Sequence, residues 1–442
     1  MYKPKDRQTK PLFSELLPFG GQLDETNRWL RIAKLIPWDE LEGEYASHFS
    51  HTGRPGTDGR LFIGLMLLKH MTGASDREIV EAVLENPYMQ MFCGFERFVT
   101  CKMLDASTLT RLRKKVGIEF FRYMEERTYR LLIERRIIRA RGMLVDATVF
   151  PENVKYPSDV GLLNKAREWL VERVTGMGRR LGHRYRTYKR TARKVYLNFI
   201  KKKTKRKKTV EKAKRQMLNY VRRLIGQFND AKTRLGQLGR KVERQIVERF
   251  QVVQRLYEQQ RHMYREKIHR VADRIVSVHR PYVRPVVRGK SGREVEFGPK
   301  VALTHAGGFM FVEHFSHNVF SEADEDIVRR QVKKFQKLFG KKPEWLTGDR
   351  LYGNRKNRDM LKRMRVEGAL PALGRPRQDE NGRDRWLKKR QKERNQIEGG
   401  IGHGKEHFML DRIRYQSVAG SEMWVRCGVL AMNLKTALAK MG

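Results

Sequence analysis

The chain has 442 residues, enough for two to four domains with substantial cores. Its 95 Lys and Arg against 50 Asp and Glu give a formal charge of +45, a self-repulsion that calls for a polyanionic partner, with nucleic acid foremost. No apolar run is long enough for a membrane span, and no secretory leader is expected. Cys93, Cys101 and Cys427 show neither metal spacing nor a disulfide framework, so a reduced cytoplasmic compartment is expected.

The first 55 residues are mixed, with a short helix between Leu23 and Leu41 broken by Pro37. From Arg60, the residues Leu61, Ile63, Leu65, Leu67 and Leu68 predict a very apolar helix, ended by Gly73 as a left-handed cap. Ser75-Asp-Arg-Glu78 is a capping box, and the helix it opens stops at Asn86-Pro87. A third helix begins near Asp105 or Ser107. Leu109, Leu112 and Val116 repeat there at helical spacing, and Arg111, Arg113, Lys114 and Lys115 decorate the rest. Short helices joined by tight turns, the last of them basic, fit a helix-turn-helix DNA reader. An ordinary bundle with a solvated basic face has the same pattern.

An amphipathic helix from about Ile118 to Arg135 leads to a buried strand at Met143–Phe150, interrupted by Asp146. Burying a carboxylate there costs several kcal/mol unless it is paired or binds a metal. A cap or an internal hydrogen bond is the local alternative. Leu162 to Val174 reads as one helix. Beyond it stands a basic run of Lys201, Lys202, Lys203, Lys205, Arg206, Lys207 and Lys208, which either touches DNA phosphates without sequence preference or forms a solvated loop. Val221, Ile225, Phe228, Leu235, Val242, Ile246, Phe250 and Val253 then step by three, four or seven, predicting long helices packed as a hairpin or short coiled coil.

Strand character returns at Val283–Val287 and at Val295–Phe315, where Ala306-Gly-Gly is a hairpin signal. Ser321 is expected to cap a helix running to about Leu338. Pro343 to Asn354 reads as a short strand ending in an acidic turn at Asp349, either a site residue on a loop or a helix N-cap. Leu370-Pro-Ala-Leu is a further strand candidate, Gly374 to Arg394 a charged connection, and Trp424 to Met441 a closing helix. If Arg394 to Lys405 is helical, both cations fall within roughly 40° of the direction of Glu398. The rival reading, a phosphate loop from Gly399 to Gly404-Lys405, has Glu406 where Ser or Thr should stand and a strongly polar stretch where a buried strand should precede it.

Asp146 in a strand, Asp349 at a strand end and Glu398 between cations share one chemistry. Hard carboxylate oxygens can hold two Mg²⁺ ions for in-line phosphoryl displacement. At these residues the chain resembles the DDE transposases of bacterial insertion sequences, in particular the IS-four and IS-five groups. Val145-Asp-Ala-Thr148 looks like the first-aspartate strand of that family and Thr347-Gly-Asp-Arg-Leu-Tyr-Gly353 like the second. Arg394, Glu398 and Lys405 match its arginine-glutamate-lysine spacing, whereas Gln391 stands where a Tyr is common. Gly53 to Gly117 and Lys155-Tyr-Pro-Ser-Asp-Val-Gly-Leu-Leu also resemble segments of these proteins.

The resemblance implies an α/β, RNase H-like catalytic core with an N-terminal helical DNA-binding domain and a long helical insertion after the first core strand. The expected boundaries are 1–136 for the helical DNA-binding and dimerisation domain, 137–160 for the first part of the core, 161–280 for the basic insertion and 281–442 for the remainder. Asp146, Asp349 and Glu398 would be catalytic and bind two Mg²⁺ ions, with Mn²⁺ able to substitute. Arg394 and Lys405 would position phosphates. The implied activity is cleavage at transposon ends followed by strand transfer of the 3′-hydroxyl into target DNA. The implied assembly is a homodimer or larger synaptic complex on double-stranded DNA, at the bacterial nucleoid, with no nucleotide cofactor. A nuclease without strand transfer and a non-enzymatic DNA-binding derivative are the alternatives. Gly400 and Gly402 are expected to let DNA or another helix approach closely.

Overall fold

The computed structural model describes residues 18–50, 56–290, 293–373 and 383–441. Contacts divide the chain into two compact units, one of Met1–Pro151 with Pro299–Gly442 and one of Glu152–Gly298.

The first unit opens with α1 (Arg28–Ala33) and α2 (Trp38–Ser47), separated at Pro37 as expected. In α3 (Gly59–Thr72) 12 of the 14 residues are buried, which makes it a core helix and not a surface reader. Asp58 caps its start, accepting from Leu61 N–H, and Gly73 ends it at φ +77°. Ser75 and Glu78 complete the capping box of α4 (Asp76–Glu85). A six-residue helix that the sequence did not reveal, α5 (Pro87–Phe92), follows with Asn86 as its cap and Pro87 at its first position. The two helices expected either side of residue 117 are joined as α6 (Ala106–Glu134), which breaks at Gly117 (φ +70°, ψ −177°). The chain then enters β1 (Met143–Val149).

The second unit contains α7 (Asp159–Arg180), α8 (Lys189–Lys201), α9 (Lys207–Gln237) and α10 (Arg244–Arg265), then β2 (Pro285–Lys290) and β3 (Arg293–Phe297). The apolar seam packs as expected: Val221, Phe228 and Leu235 of α9 share a core with Phe250 and Val253 of α10, and the Phe228 and Phe250 rings stack 3.8 Å apart. This unit is wider than 161–280 because its two ends are tied together. Glu152 N–H donates to the Phe297 carbonyl (2.8 Å), and the Glu152 carboxylate pairs with buried Arg280.

Back in the first unit, β4 (Lys300–Ala306) and β5 (Phe309–Ser316) form the expected hairpin through Gly307-Gly308. The cap of α11 (Glu325–Phe339) is Asp324, not Ser321: its Oδ1 accepts from Asp326 N–H at 2.9 Å. After β6 (Trp345–Thr347) and α12 (Arg355–Arg363), the last strand, β7, is Glu367–Gly368 and not Leu370-Pro-Ala-Leu. Pro371 has no N–H for a ladder, and the Arg358 guanidinium takes the Leu370 and Pro371 carbonyls instead. Of the expected charged connection, 374–382 lie outside the described residues and the rest is helical, α13 (Arg383–Glu393). Then come α14 (Asn395–His407) and the buried closing helix α15 (Val418–Met441).

The main sheet has the order β5-β4-β1-β6-β7. β4 runs antiparallel to β1 and β5 antiparallel to β4, while β6 is parallel to β1 and β7 to β6. The core is continuous across residue 136. Leu65, Phe121, Leu144, Val312 and Trp424 belong to one buried cluster, and Asn433 of α15 accepts from Met310 N–H of β5 (3.0 Å).

Candidate carboxylate site

Alternation along β1 places Leu144, Asp146 and Thr148 on one face. Every residue of the strand is buried except Asp146, which is partly open. Its Oδ1 accepts from Ala147 N–H at 2.7 Å. The parallel register pairs Leu144 with Thr347, so Asp349, two residues beyond Thr347, comes off β6 level with Asp146. Gly348 is required between them: a Cβ there would stand 2.8 Å from the Tyr352 ring and 3.0 Å from Val145 Cγ2. Asp349 caps the 3-10 turn Arg350–Gly353, accepting from Leu351 N–H at 2.9 Å. Asp349 thus acts as a cap, and the site reading is compatible with that, since only one carboxylate oxygen serves the turn.

The third carboxylate is carried by α14, which packs on β1 and β4. Its continuous helix leaves no loop between Gly399 and Lys405, which overturns the phosphate-loop reading. Arg394 Nη2 donates to Glu398 Oε1 at 2.7 Å. That bond holds the guanidinium above its usual pKa, with further help from Asp146 and Asp349. Burial raises the pKa of Asp146 and is opposed by the Ala147 hydrogen bond; the charges of Asp349 and Glu398 raise it further, and Arg394 lowers it. Three carboxylates thus share one electric field around one guanidinium. Lys405 Nζ donates to Thr148 Oγ1 at 3.3 Å, on the face of β1 that bears Asp146. Among the described residues no three His, Cys, Asp or Glu side chains are closed on a common point that would hold a metal ion. Of the two glycines expected to allow close approach, Gly400 leaves room for the flexible end of Met310 and Gly402 faces open space.

Gln391 was notable in the sequence only as a missing Tyr. Its Nε2 donates to Thr347 Oγ1 (2.9 Å) and to the Ala369 carbonyl (2.7 Å), joining α13 to the ends of β6 and β7. Tyr352 is fully buried beside the site, where burial raises its pKa and the charges of Asp146, Glu322 and Asp349 raise it further; among the described residues its hydroxyl has no hydrogen-bond partner.

Of the basic residues expected on DNA, Arg111, Lys114 and Lys115 are exposed on α6. Arg113 departs from them: it is 7% exposed, and its Nη2 meets Asp76 Oδ2 at 2.7 Å. Helical periodicity turns position 113 inward beside Leu112. Lys201, Lys202, Lys203, Lys205, Arg206, Lys207 and Lys208 are all exposed, running from the end of α8 to the start of α9 in the second unit. No helix among the described residues is long and apolar enough to cross a membrane.

Residues 18–115 match the family model described as "Transposase domain (DUF772)". The chain belongs to a transposase family. It is also 35% identical over 167 residues, 37% of its own length and 81% of the relative, to the "Uncharacterized protein ORF8 in nfe locus" of Rhizobium meliloti. No solved structure matches it.

Proposed function

We propose that this transposase is a DDE enzyme with an RNase H-like core, cutting DNA at the ends of an insertion sequence and joining the freed 3′-hydroxyl to target DNA. The observation that carries this reading is the placement of the three carboxylates: the β1–β6 register sets Asp349 level with Asp146, and α14, which packs on β1, brings Glu398 with its partner Arg394. The sheet order supports it, with β1 central, antiparallel β4 and β5 on one side, and parallel β6 and β7 on the other.

The donor set suits magnesium or manganese, since all three side chains are hard carboxylates whose mutual repulsion a divalent cation relieves. Asp146, Asp349 and Glu398 would hold two such ions, which supply activation of the attacking hydroxyl and stabilisation of the leaving oxygen. Arg394 now occupies one oxygen of Glu398, and a DNA phosphate offers the guanidinium an equivalent anionic partner. Lys405, held over Thr148, adds a positive charge beside the same face of β1. In the first reaction water attacks phosphorus and the bond to the 3′-oxygen breaks, leaving a 3′-hydroxyl and a 5′-phosphate. In the second that hydroxyl attacks a target phosphodiester, so one phosphodiester replaces another without a nucleotide cofactor. Pairing two ends calls for a dimer or larger complex.

The test is cleavage and joining of labelled duplex carrying the element's own end, with Mg²⁺ or Mn²⁺, by the native chain and by Asp146→Asn, Asp349→Asn and Glu398→Gln. Activity lost in all three variants while DNA binding persists supports the reading. Undiminished activity in one variant removes that carboxylate. The open arrangement of the carboxylates favours one second reading, a DNA-binding protein without chemistry, which tight binding without cleavage by the native chain would establish.

A further inference from the structure

A cleft of about 450 Å³ lies between the start of α4, the first half of α6 and the segment before α15. Lys69 and Arg113 form its buried wall, and both reach one carboxylate, that of Asp76, at 2.5 and 2.7 Å. Both also donate to the Tyr415 hydroxyl, at 3.2 and 2.9 Å, and lie over the Tyr415 ring at 4.6 and 4.0 Å. Two cations against one carboxylate leave a positive excess, which aromatic faces offset only in part. Lys69 is 2% exposed, and burial lowers its pKa, an effect that Asp76 opposes and that a further anion in the cleft would oppose too. Lys114 and Arg414 line the same cleft from exposed positions and continue its sign outward. The starts of α4 and α15, capped by Ser75 and Ser417, also line it, adding helix dipoles to the same potential.

We propose that this cleft, built by residues separate from the carboxylate site, binds a phosphate group, and that in the working protein the group is a backbone phosphate of duplex DNA. The proposal rests on the DNA-binding reading above. Lys69 and Arg113 set a fixed positive wall held in place by Asp76, and Lys114 and Arg414 close on the phosphate from the open side. A phosphate contact carries no base information, so the site fixes where the duplex lies and not which sequence it has.

The experiment uses the full chain with Lys114→Gln, Arg414→Gln and the double variant, all at exposed positions, and Lys341→Gln with Lys342→Gln as an exposed control of equal charge change. Duplex binding is followed by fluorescence anisotropy across salt concentrations. The double variant should bind several-fold more weakly on any duplex, with the slope of log K against log salt reduced by about 0.9 for the lost contact. The control should keep the native slope. In a second arm, inorganic phosphate at constant ionic strength should raise the unfolding temperature of the native chain and not that of the double variant. Native slope and affinity in the double variant overturn the proposal while leaving DNA binding intact. If the native chain binds no duplex, the underlying DNA reading fails. Phosphate stabilisation confined to the native chain would then reassign the cleft to a small phosphate, and its absence would overturn the site as well.

Discussion

Gln391 stands three residues before Arg394, and its amide is committed to acceptors that flank Asp349: Thr347 Oγ1 and the Ala369 carbonyl. It therefore couples the strand end that delivers the second aspartate to the helix leading to Arg394 and Glu398. Gln391→Met keeps the length and removes the donors; Gln391→Glu keeps the shape and sets a carboxylate against a carbonyl. End cleavage under single-turnover conditions should fall about tenfold or more in the first and further in the second, because small misplacements of reacting groups cost up to about 10²-fold. The Mg²⁺ concentration for half-maximal rate should rise, with the unfolding temperature of Gln391→Met unchanged. Equal rates in all three proteins would remove the coupling. His70 offers a different test. Its Nδ1 lies 3.1 Å from the Phe408 carbonyl, which only accepts, so Nδ1 carries the hydrogen. Burial, aided by Lys69, lowers its pKa to about 3. The unfolded chain binds this proton near pH 6.5, whereas the native protein resists it down to about 3. Stability is complete above pH 6.5 and declines below it by about 1.4 kcal/mol per pH unit from this residue alone. Urea unfolding at pH 6.5 and 5.5 should show a loss of about 1 kcal/mol from this residue in the native chain, the slope still steepening over that interval, and a smaller loss in His70→Gln.

Gly117 lets α6 serve two packing directions. Leu109, Leu112 and Val116 are buried before the break, and Phe120, Phe121 and Met124 after it. A Cβ at 117 would meet nothing within 4 Å, so the cost of Gly117→Ala is purely that of the backbone angles. We expect a loss of about 1–3 kcal/mol in denaturant unfolding, and a neutral result would mean that the break relaxes into continuous helix. Local signals of this kind were legible: Gly73, the Ser75–Glu78 box and Ala306-Gly-Gly each act within a few residues. The carboxylates were legible for a related reason, since Asp146 is conspicuous in an apolar strand and Glu398 between two cations. Short or polar helices were not. α5 has only six residues, α13 is so rich in Lys and Arg that its apolar stripe is faint, and the apolar face of α8 at Val195, Tyr196 and Phe199 is set among basic residues that mask it. Hidden too was the burial of Lys69 and Arg113, because Asp76 is distant from Arg113 in sequence and Tyr415 lies more than 300 residues from either.

The second unit leaves and rejoins the sheet at neighbouring points. Val149 pairs with Lys300 across the β1–β4 ladder, and Phe150 N–H donates to the Pro299 carbonyl at 3.2 Å. Replacing 152–298 by a two-residue Asn-Gly turn should therefore close a plain hairpin and leave the first unit folded. Circular dichroism should show cooperative melting within a few degrees of the native first transition. Loss of that transition would mean that the sheet depends on the inserted unit. This excision would also take away Lys201–Lys208 and much of the +45 charge, so non-specific DNA affinity should fall most at low salt. The same adjacency orders events at the ribosome. β1 is made first, but β4 follows only about 150 residues later. At cellular rates of synthesis the strand waits roughly 8–30 s for its partner, its apolar edge exposed meanwhile. Folding of the second unit in that interval would bring Pro151 and Pro299 side by side, turning a long-range search into the closing of a short loop.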